Sequence, residues 1–413
     1  MLLTPPKGKT WSAWVAVGLW SLLIFLTIPL ARQISELVSA QWGRSLFTYL
    51  VLLTIGVALL AVIGQVIRHR LSLSAQRLLW LVLIAGTFTG YTLLLGKRSP
   101  EESVHFIQYG VLSVLVYRAL TIKRRDISVY FSAAVICGII GTVDEFIQWL
   151  VPDRHWDLRD IGINLFAAAM VQIAIAKGVQ PPYIDRHPYP DNLRFLWRLM
   201  VIAAIALGAS MFNTPERIAW YAQRLPGLGY LIQNESVMVE YGYRYEDSDI
   251  GIFRSRLAPD DLKRVDRERA VEAAEILNRY GKRSDYRVFL KRYTPLNDPF
   301  VHEARVHLYS RDVNFSRAME KKAKSDSVAE NFSKAYRYNL ILEKYFTHTL
   351  GASDHVWPVE KKTLARQYLD EDEVFESYVS RHLITRISET QMMTFFGVLV
   401  LVFFMMSRRH KHP

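Results

Sequence analysis

What most constrains this chain is a series of uninterrupted apolar runs, each about as long as the hydrocarbon core of a bilayer demands, which is roughly 20 residues of helix. They are Trp11–Leu30, Leu46–Ile67, Leu78–Leu95, Val104–Leu120, Ser128–Val151, Ile161–Ile175, Phe195–Phe212 and Met392–Met406. In lipid the chain must satisfy its own backbone N–H and C=O groups, and continuous apolar runs do so as helices. The expected class is therefore a polytopic α-helical membrane protein with about eight transmembrane helices. The sixth and eighth runs are short and draw on flanking residues. Arg198, early in the seventh, has to carry its head group to the interface. The first run follows Lys7 and Lys9, as a signal peptide would. It is longer than the apolar part of one, and no small-x-small site follows, so it reads as an uncleaved span.

Charge sets the expected orientation. Residues 213–391 hold 29 Lys and Arg against 28 Asp and Glu, whereas the rest of the chain holds 22 against 11, so nearly all of the +12 net charge belongs to the membrane part. A basic balance of that origin points to topology and away from nucleic acid. The basic residues fall in alternate loops: Lys7 and Lys9; Arg68, Arg70 and Arg77; Lys123, Arg124 and Arg125; Lys177, Arg186 and Arg194; Arg408, Arg409 and Lys411. By the positive-inside rule both termini are expected in the cytoplasm and residues 213–391 outside, in a plasma (inner) membrane protein. The single cysteine, Cys137, sits in the fifth run and reads as a packing residue, so the exported domain is expected to fold without disulfides.

The expected organisation is a six-span unit over 1–179, a cytoplasmic Pro-rich linker over 180–194, a seventh span over 195–212, an extracytoplasmic domain over 213–391, and an eighth span with a basic tail over 392–413. The exported domain reads as α+β and mostly helical. Asn213–Leu231 has the aromatic and aliphatic residues of an interfacial segment. Ser236–Tyr245 and Gly251–Leu257 read as strands. Pro259–Tyr280 reads as a capped helix with Gly281 past its end. A helical stretch from Asn314 to Leu350 is interrupted at 321–330, and another from Pro358 runs into the last span. His302 and His307 are placed in a strand or turn, and His348 and His355 at a helix end.

Polar residues inside the apolar runs mark the candidate site, because ionisable groups in a membrane are costly and are retained for a reason. On a helix Glu101, His105, Gln108 and Tyr109 share a face, as do Asp144 and Gln148, with Glu145 beside them, and as do Asp157, Asp160 and Asn164. Arg154 and Arg159 are the available ionic partners. The expected topology brings all of these to the outer interface.

The same residues carry a resemblance. Glu101–Gly110 (EESVHFIQYG) followed by Gly141–Asn164 (GTVDEFIQWLVPDRHWDLRDIGIN) closely resembles the VanZ-like membrane family. That family's pattern is His-x-x-x-Tyr, then Asp-Glu-x-x-Gln, an Arg in the following loop, and Asp-x-x-x-Asn. The matching positions are His105 and Tyr109, then Asp144, Glu145 and Gln148, then Arg154, then Asp160 and Asn164. The likeness covers about residues 78–176 and leaves the exported domain unassigned. It implies a cell-envelope role in a family first associated with low-level teicoplanin resistance.

From these residues the leading expectation is binding of an envelope ligand (a lipid headgroup or cell-envelope precursor) or of a partner at the outer membrane face. In that reading Arg154 and Arg159 hold a phosphate or carboxylate. An accessory subunit of a membrane complex, its helix ends pinned by ion pairs, is one alternative. A hydrolase or transferase acting on a lipid-linked substrate is another, with Asp144 or Glu145 as base and His105 as acid. A divalent cation held by His105, Asp144, Glu145 and Asp160 could accompany the functional readings, although no tight metal motif is present, and no cofactor is expected. Walker, Rossmann, zinc-pair and serine-elbow motifs are absent from the sequence.

Overall fold

The computed structural model describes residues 2–6, 8–42, 74–98, 100–152, 154–233, 237–320, 325–369, 374–377, 379–380 and 382–409, with a few isolated positions between 49 and 64. The second expected span, Leu46–Ile67, lies outside the described residues apart from those positions. So do Lys7, Arg68, Arg70 and Lys411 of the basic loops, Asp153, and 321–324 in the interruption. Seven described helices are long and apolar enough to cross a membrane: Thr10–Thr27, Ala75–Gly96, Glu102–Thr121, Ser128–Leu150, Leu158–Val179, Pro190–Met211 and Glu389–Arg409. The chain is a polytopic helical membrane protein. It divides into two compact units, one of residues 1–209 with 394–413, the other of residues 210–393.

The first unit is built from α1 (Thr10–Trp42), α2 (Ala75–Arg98), α3 (Pro100–Thr121), α4 (Ser128–Leu150), α5 (Leu158–Ile173, continued by a π-helical turn over Ala174–Val179), α6 (Pro190–Met211) and the terminal helix Glu389–Arg409. Its core is where α3, α4 and α5 meet, around Phe106, Tyr109, Leu112, Ala133, Cys137 and Ala167. Lipid offers no hydrophobic drive for helix association, so close approach and interhelical hydrogen bonds hold such a core. Gly141 on α4 supplies the approach: a Cβ there would stand 3.4 Å from Asn164 Cβ and 3.6 Å from Tyr109 Cε1. Gln172 Nε2 donates to Ser113 Oγ at 2.7 Å, and Ser113 Oγ donates to the Ala168 carbonyl at 3.0 Å. The first apolar run is an integral part of this core, with Val17 and Ile24 buried and Trp20 Nε1 donating to the Gln108 carbonyl at 3.0 Å. On α6 and the terminal helix, Trp197 stacks on Phe403 with centroids 5.8 Å apart.

The Pro-rich segment after α5 is not helical, as its prolines require, and α6 begins at Pro190. The segment is fastened to the loop between α3 and α4. The Asp185 N–H donates to the Arg125 carbonyl at 2.7 Å. Fully buried Asp126 accepts from the Tyr189 N–H at 2.7 Å, Asn192 Nδ2 at 2.7 Å and the Ser128 N–H at 2.9 Å.

The second unit is mixed and mostly helical. After α7 (Pro215–Ala222) come β1 (Glu240–Tyr241), β2 (Tyr243–Asp247) and β3 (Gly251–Ser255), then α8 (Pro259–Glu268), α9 (Ala270–Arg279), α10 (Tyr286–Arg292), α11 (Pro299–Ala318), α12 (Ser325–Tyr345), α13 (Thr347–Ala352), α14 (Val359–Arg366), β4 (Glu376–Ser377) and β5 (Leu383–Ile384). Strands β2 and β3 form an antiparallel hairpin, β4 joins β3 in parallel, and β5 joins β1 in parallel. The α11–α12 pair is the centre of the core, with Phe253, Phe289, Phe300, Leu308, Ile341 and Phe346 packed around it.

Three expectations for this unit are corrected. The helix read over Pro259–Tyr280 is two, parted at Arg269, whose guanidinium bridges Glu272 at 2.8 Å and Asp298 at 2.7 Å. The helix from Pro358 stops at Arg366 and does not run into the last span. Residues 376–377 and 383–384 instead pair with strands more than a hundred residues earlier, and a new helix starts at Glu389. His302 and His307 lie on α11, not on a strand or turn. Asp298 caps that helix by accepting from the Val301 N–H at 3.2 Å, and Pro299 opens it, the usual pairing of a cap with a proline at the first position.

Candidate functional site

The polar residues of the first unit are assembled by three helix ends. Helix α3 carries Glu102, His105 and Tyr109 on one face through three- and four-residue steps. The last turns of α4 carry Asp144, Glu145 and Gln148, and the chain leaves α4 at Val151 in an extended conformation, as the following Pro152 dictates. The loop bearing Arg154 then leads to Asp157. That residue caps α5, accepting from the Arg159 N–H at 2.8 Å, and so fixes where Asp160 and Asn164 emerge.

Between these ends lies a cavity of about 140 Å³ lined by Glu102, His105, Glu145, Gln148, Arg154, Asp160, Ile163 and Asn164. Glu145 and Asn164 are buried, as is Asp144 beside the cavity. Asp144 Oδ2 accepts from Tyr109 Oη at 3.0 Å and stands 3.9 Å from His105 Nδ1. Glu145 accepts from Gln148 Nε2 at 2.9 Å and from the Asp157 N–H at 3.3 Å. Arg159 pairs with Glu102 at 2.8 Å rather than with the acids of α4, because it sits on the exposed side of α5 facing α3. Two carboxylate oxygens, Oδ1 of Asp144 and Oδ1 of Asp160, are buried with no hydrogen-bond partner among the described residues.

Of the residues read from sequence, His105, Glu145, Gln148, Arg154, Asp160 and Asn164 line the cavity, and Asp144 and Tyr109 form the layer beneath. Asp157 and Arg159 frame its rim. Gln108 is not among the residues that line it. The Glu101 side chain lies outside the described residues. Glu102 takes the lining position expected for Glu101. It is three residues before His105 where Glu101 is four, so helical spacing alone carried the signal for either. Among the described residues no group of three His, Cys, Asp or Glu side chains is arranged to hold a metal ion.

The arrangement is rich in acceptors: Glu102, Asp144, Glu145, Asp157 and Asp160 stand against Arg154 and Arg159. It can take hydrogen-bond donors on its acids and an anionic group on Arg154. The Tyr109–Asp144 bond is its deepest link. Tyr109→Phe removes the donor and leaves a buried carboxylate oxygen short of it, which is expected to cost about 1–3 kcal/mol. The check is the thermal midpoint of the full chain in detergent, and an unchanged midpoint would show that this bond contributes nothing.

The chain matches no family model, no curated protein and no solved structure.

Proposed function

We propose that this chain is a VanZ-like protein of the plasma (inner) membrane that binds a polar group of the cell envelope, a lipid headgroup or an envelope precursor, without transforming it. The observation that carries this reading is the cavity lined by charged and amide side chains within an otherwise apolar helical unit. A network that served only to pin helices would have no need of that space. Six residues of the VanZ-like pattern, His105, Glu145, Gln148, Arg154, Asp160 and Asn164, line it, together with Glu102 and Ile163. The test is native mass spectrometry of the full chain, wild type against His105→Leu and Asn164→Leu. A co-purifying envelope lipid or precursor is expected in the wild type and is expected to be lost from both variants. Identical spectra for all three, with no retained molecule, would favour the accessory-subunit reading instead.

In the proposed orientation both termini are cytoplasmic, the cavity opens to the outer face, and residues 213–391 are extracytoplasmic. Its support is the alternation of basic loops. Ser284 and Lys123 are both exposed and lie on opposite sides in this scheme. In a Cys137→Ala background and in intact cells, Ser284→Cys is expected to react with a membrane-impermeant thiol reagent and Lys123→Cys to be protected. The reverse pattern inverts the topology.

A further inference from the structure

We infer that the group taken by the cavity is a primary ammonium, held by Asp160 and Glu145. This rests on the binding reading above and narrows it. The sequence drew attention to Arg154 and Arg159 and so to an anion, but the geometry weights the site the other way. Arg159 is drawn to Glu102 at the rim, and the cavity retains three lining carboxylates, Glu102, Glu145 and Asp160, with Asp144 behind them. An ionised carboxylate offers acceptors only, and leaving one of its oxygens buried and unsatisfied is costly. Asp160 Oδ1, on the cavity wall, and Asp144 Oδ1, on a fully buried side chain, are both in that state among the described residues.

A ligand in the cavity that relieves Asp160 must bring N–H or O–H donors, and a cationic donor makes the shorter and stronger bonds. An ammonium with its three N–H groups fits both the excess of acid and a space of about 140 Å³. Arg154 on the same wall gives the ligand's phosphate or carboxylate a place. The matching chemistry is a small zwitterion: the headgroup of an aminophospholipid, or the side-chain amine of a diamino acid in an envelope peptide.

The experiment is a thermal shift of the purified full chain in mixed micelles. The probes are phosphatidylethanolamine, its trimethylated counterpart phosphatidylcholine, phosphatidylglycerol, and a soluble lysine-containing peptide. Trimethylation keeps the charge and removes every N–H, so it isolates the donors. Phosphatidylethanolamine or the peptide is expected to stabilise the protein, whichever does so naming the source, with apparent affinity about tenfold or more above phosphatidylcholine and phosphatidylglycerol. Asp160→Asn, on the partly buried first turn of α5, is expected to keep the ligand-free midpoint and lose that preference. If all three lipids stabilise equally, the headgroup reading stands and the ammonium is wrong. If no probe stabilises, both fall. The wild-type series alone decides should the variant not fold.

Discussion

Arg256→Ala is expected to destabilise the second unit by about 3–5 kcal/mol, the usual cost of stripping one partner from a buried ion network. The Arg256 guanidinium lies between two buried carboxylates, with Nε 2.7 Å from Glu240 Oε2 and Nη1 3.1 Å from Glu303 Oε1. Glu303 also accepts from Ser255 Oγ at 2.7 Å and from the Arg256 N–H at 2.7 Å, so it ties β3 to α11. Burial works against the charge on Arg256, but Glu240 and Glu303 together hold it above the ordinary arginine value. Burial pushes the Glu303 carboxyl up, and the pull of Arg256 opposes this. Without the arginine, both acids are left in the interior with no compensating cation. The measurement is hydrogen exchange of the α11 and α12 amides in the full chain, where protection should drop by the same free energy. Glu303→Gln keeps the shape and two of the acceptor contacts, so it is expected to cost less. Equal protection in wild type and Arg256→Ala would mean that the network is ornamental to stability.

The same network separates what could be read from the sequence from what could not. The spans were legible because an uninterrupted apolar run of about 20 residues suits little except a helix enclosed in lipid, and Thr10–Thr27, Ser128–Leu150 and Glu389–Arg409 fall on the expected runs. The candidate site was legible for the converse reason, since Asp144, Glu145 and Asp160 are out of place in such runs. Helix α11 was not. Its buried positions include Glu303, Arg305, His307 and Arg311, so the apolar periodicity that signals a helix is broken by the residues that are most enclosed. Those charges are accommodated by contacts from distant segments: Arg305 donates to the carbonyls of Tyr280 at 2.9 Å and Lys282 at 3.1 Å, and Arg311 to that of His355 at 2.8 Å. Likewise the region after α14 is pulled out of helix by pairing with β1 and β3, and no local pattern announces a partner so far away in the chain. The Asp298–Pro299 cap is a local signal for α11, masked by the mixed composition behind it.

Acid is expected to unfold the second unit earlier than its carboxylates alone would dictate, because two imidazoles are locked inside it. His302 and His307 are buried on successive turns of α11, His302 with Nδ1 2.8 Å from the Tyr293 carbonyl and His307 enclosed by the rings of Phe253, Tyr338 and Phe346. Neither nitrogen of His307 has a hydrogen-bond partner among the described residues. Burial, with the nearby positive charge of Arg256, pushes both down to about 3. In the unfolded chain each would titrate near the ordinary value of about 6.5. Between these values the unfolded state binds more protons than the folded one, so stability is complete above about pH 6.5 and falls as the pH drops towards 3. At pH 5 the two residues together are expected to lower stability by about 4 kcal/mol relative to pH 7.5. Urea unfolding of the full chain in detergent, followed through the same α11 amides at several pH values, measures the slope. His307→Leu removes one of the two protons taken up on unfolding, so it should halve that slope over pH 4–6 while leaving the carboxylate-driven loss below pH 4 in place. A slope unchanged by His307→Leu would mean that this imidazole is protonated equally in the folded and unfolded chains, and the acid sensitivity would then have to come from carboxylates that ion pairs hold low, such as Glu272 beside Arg269.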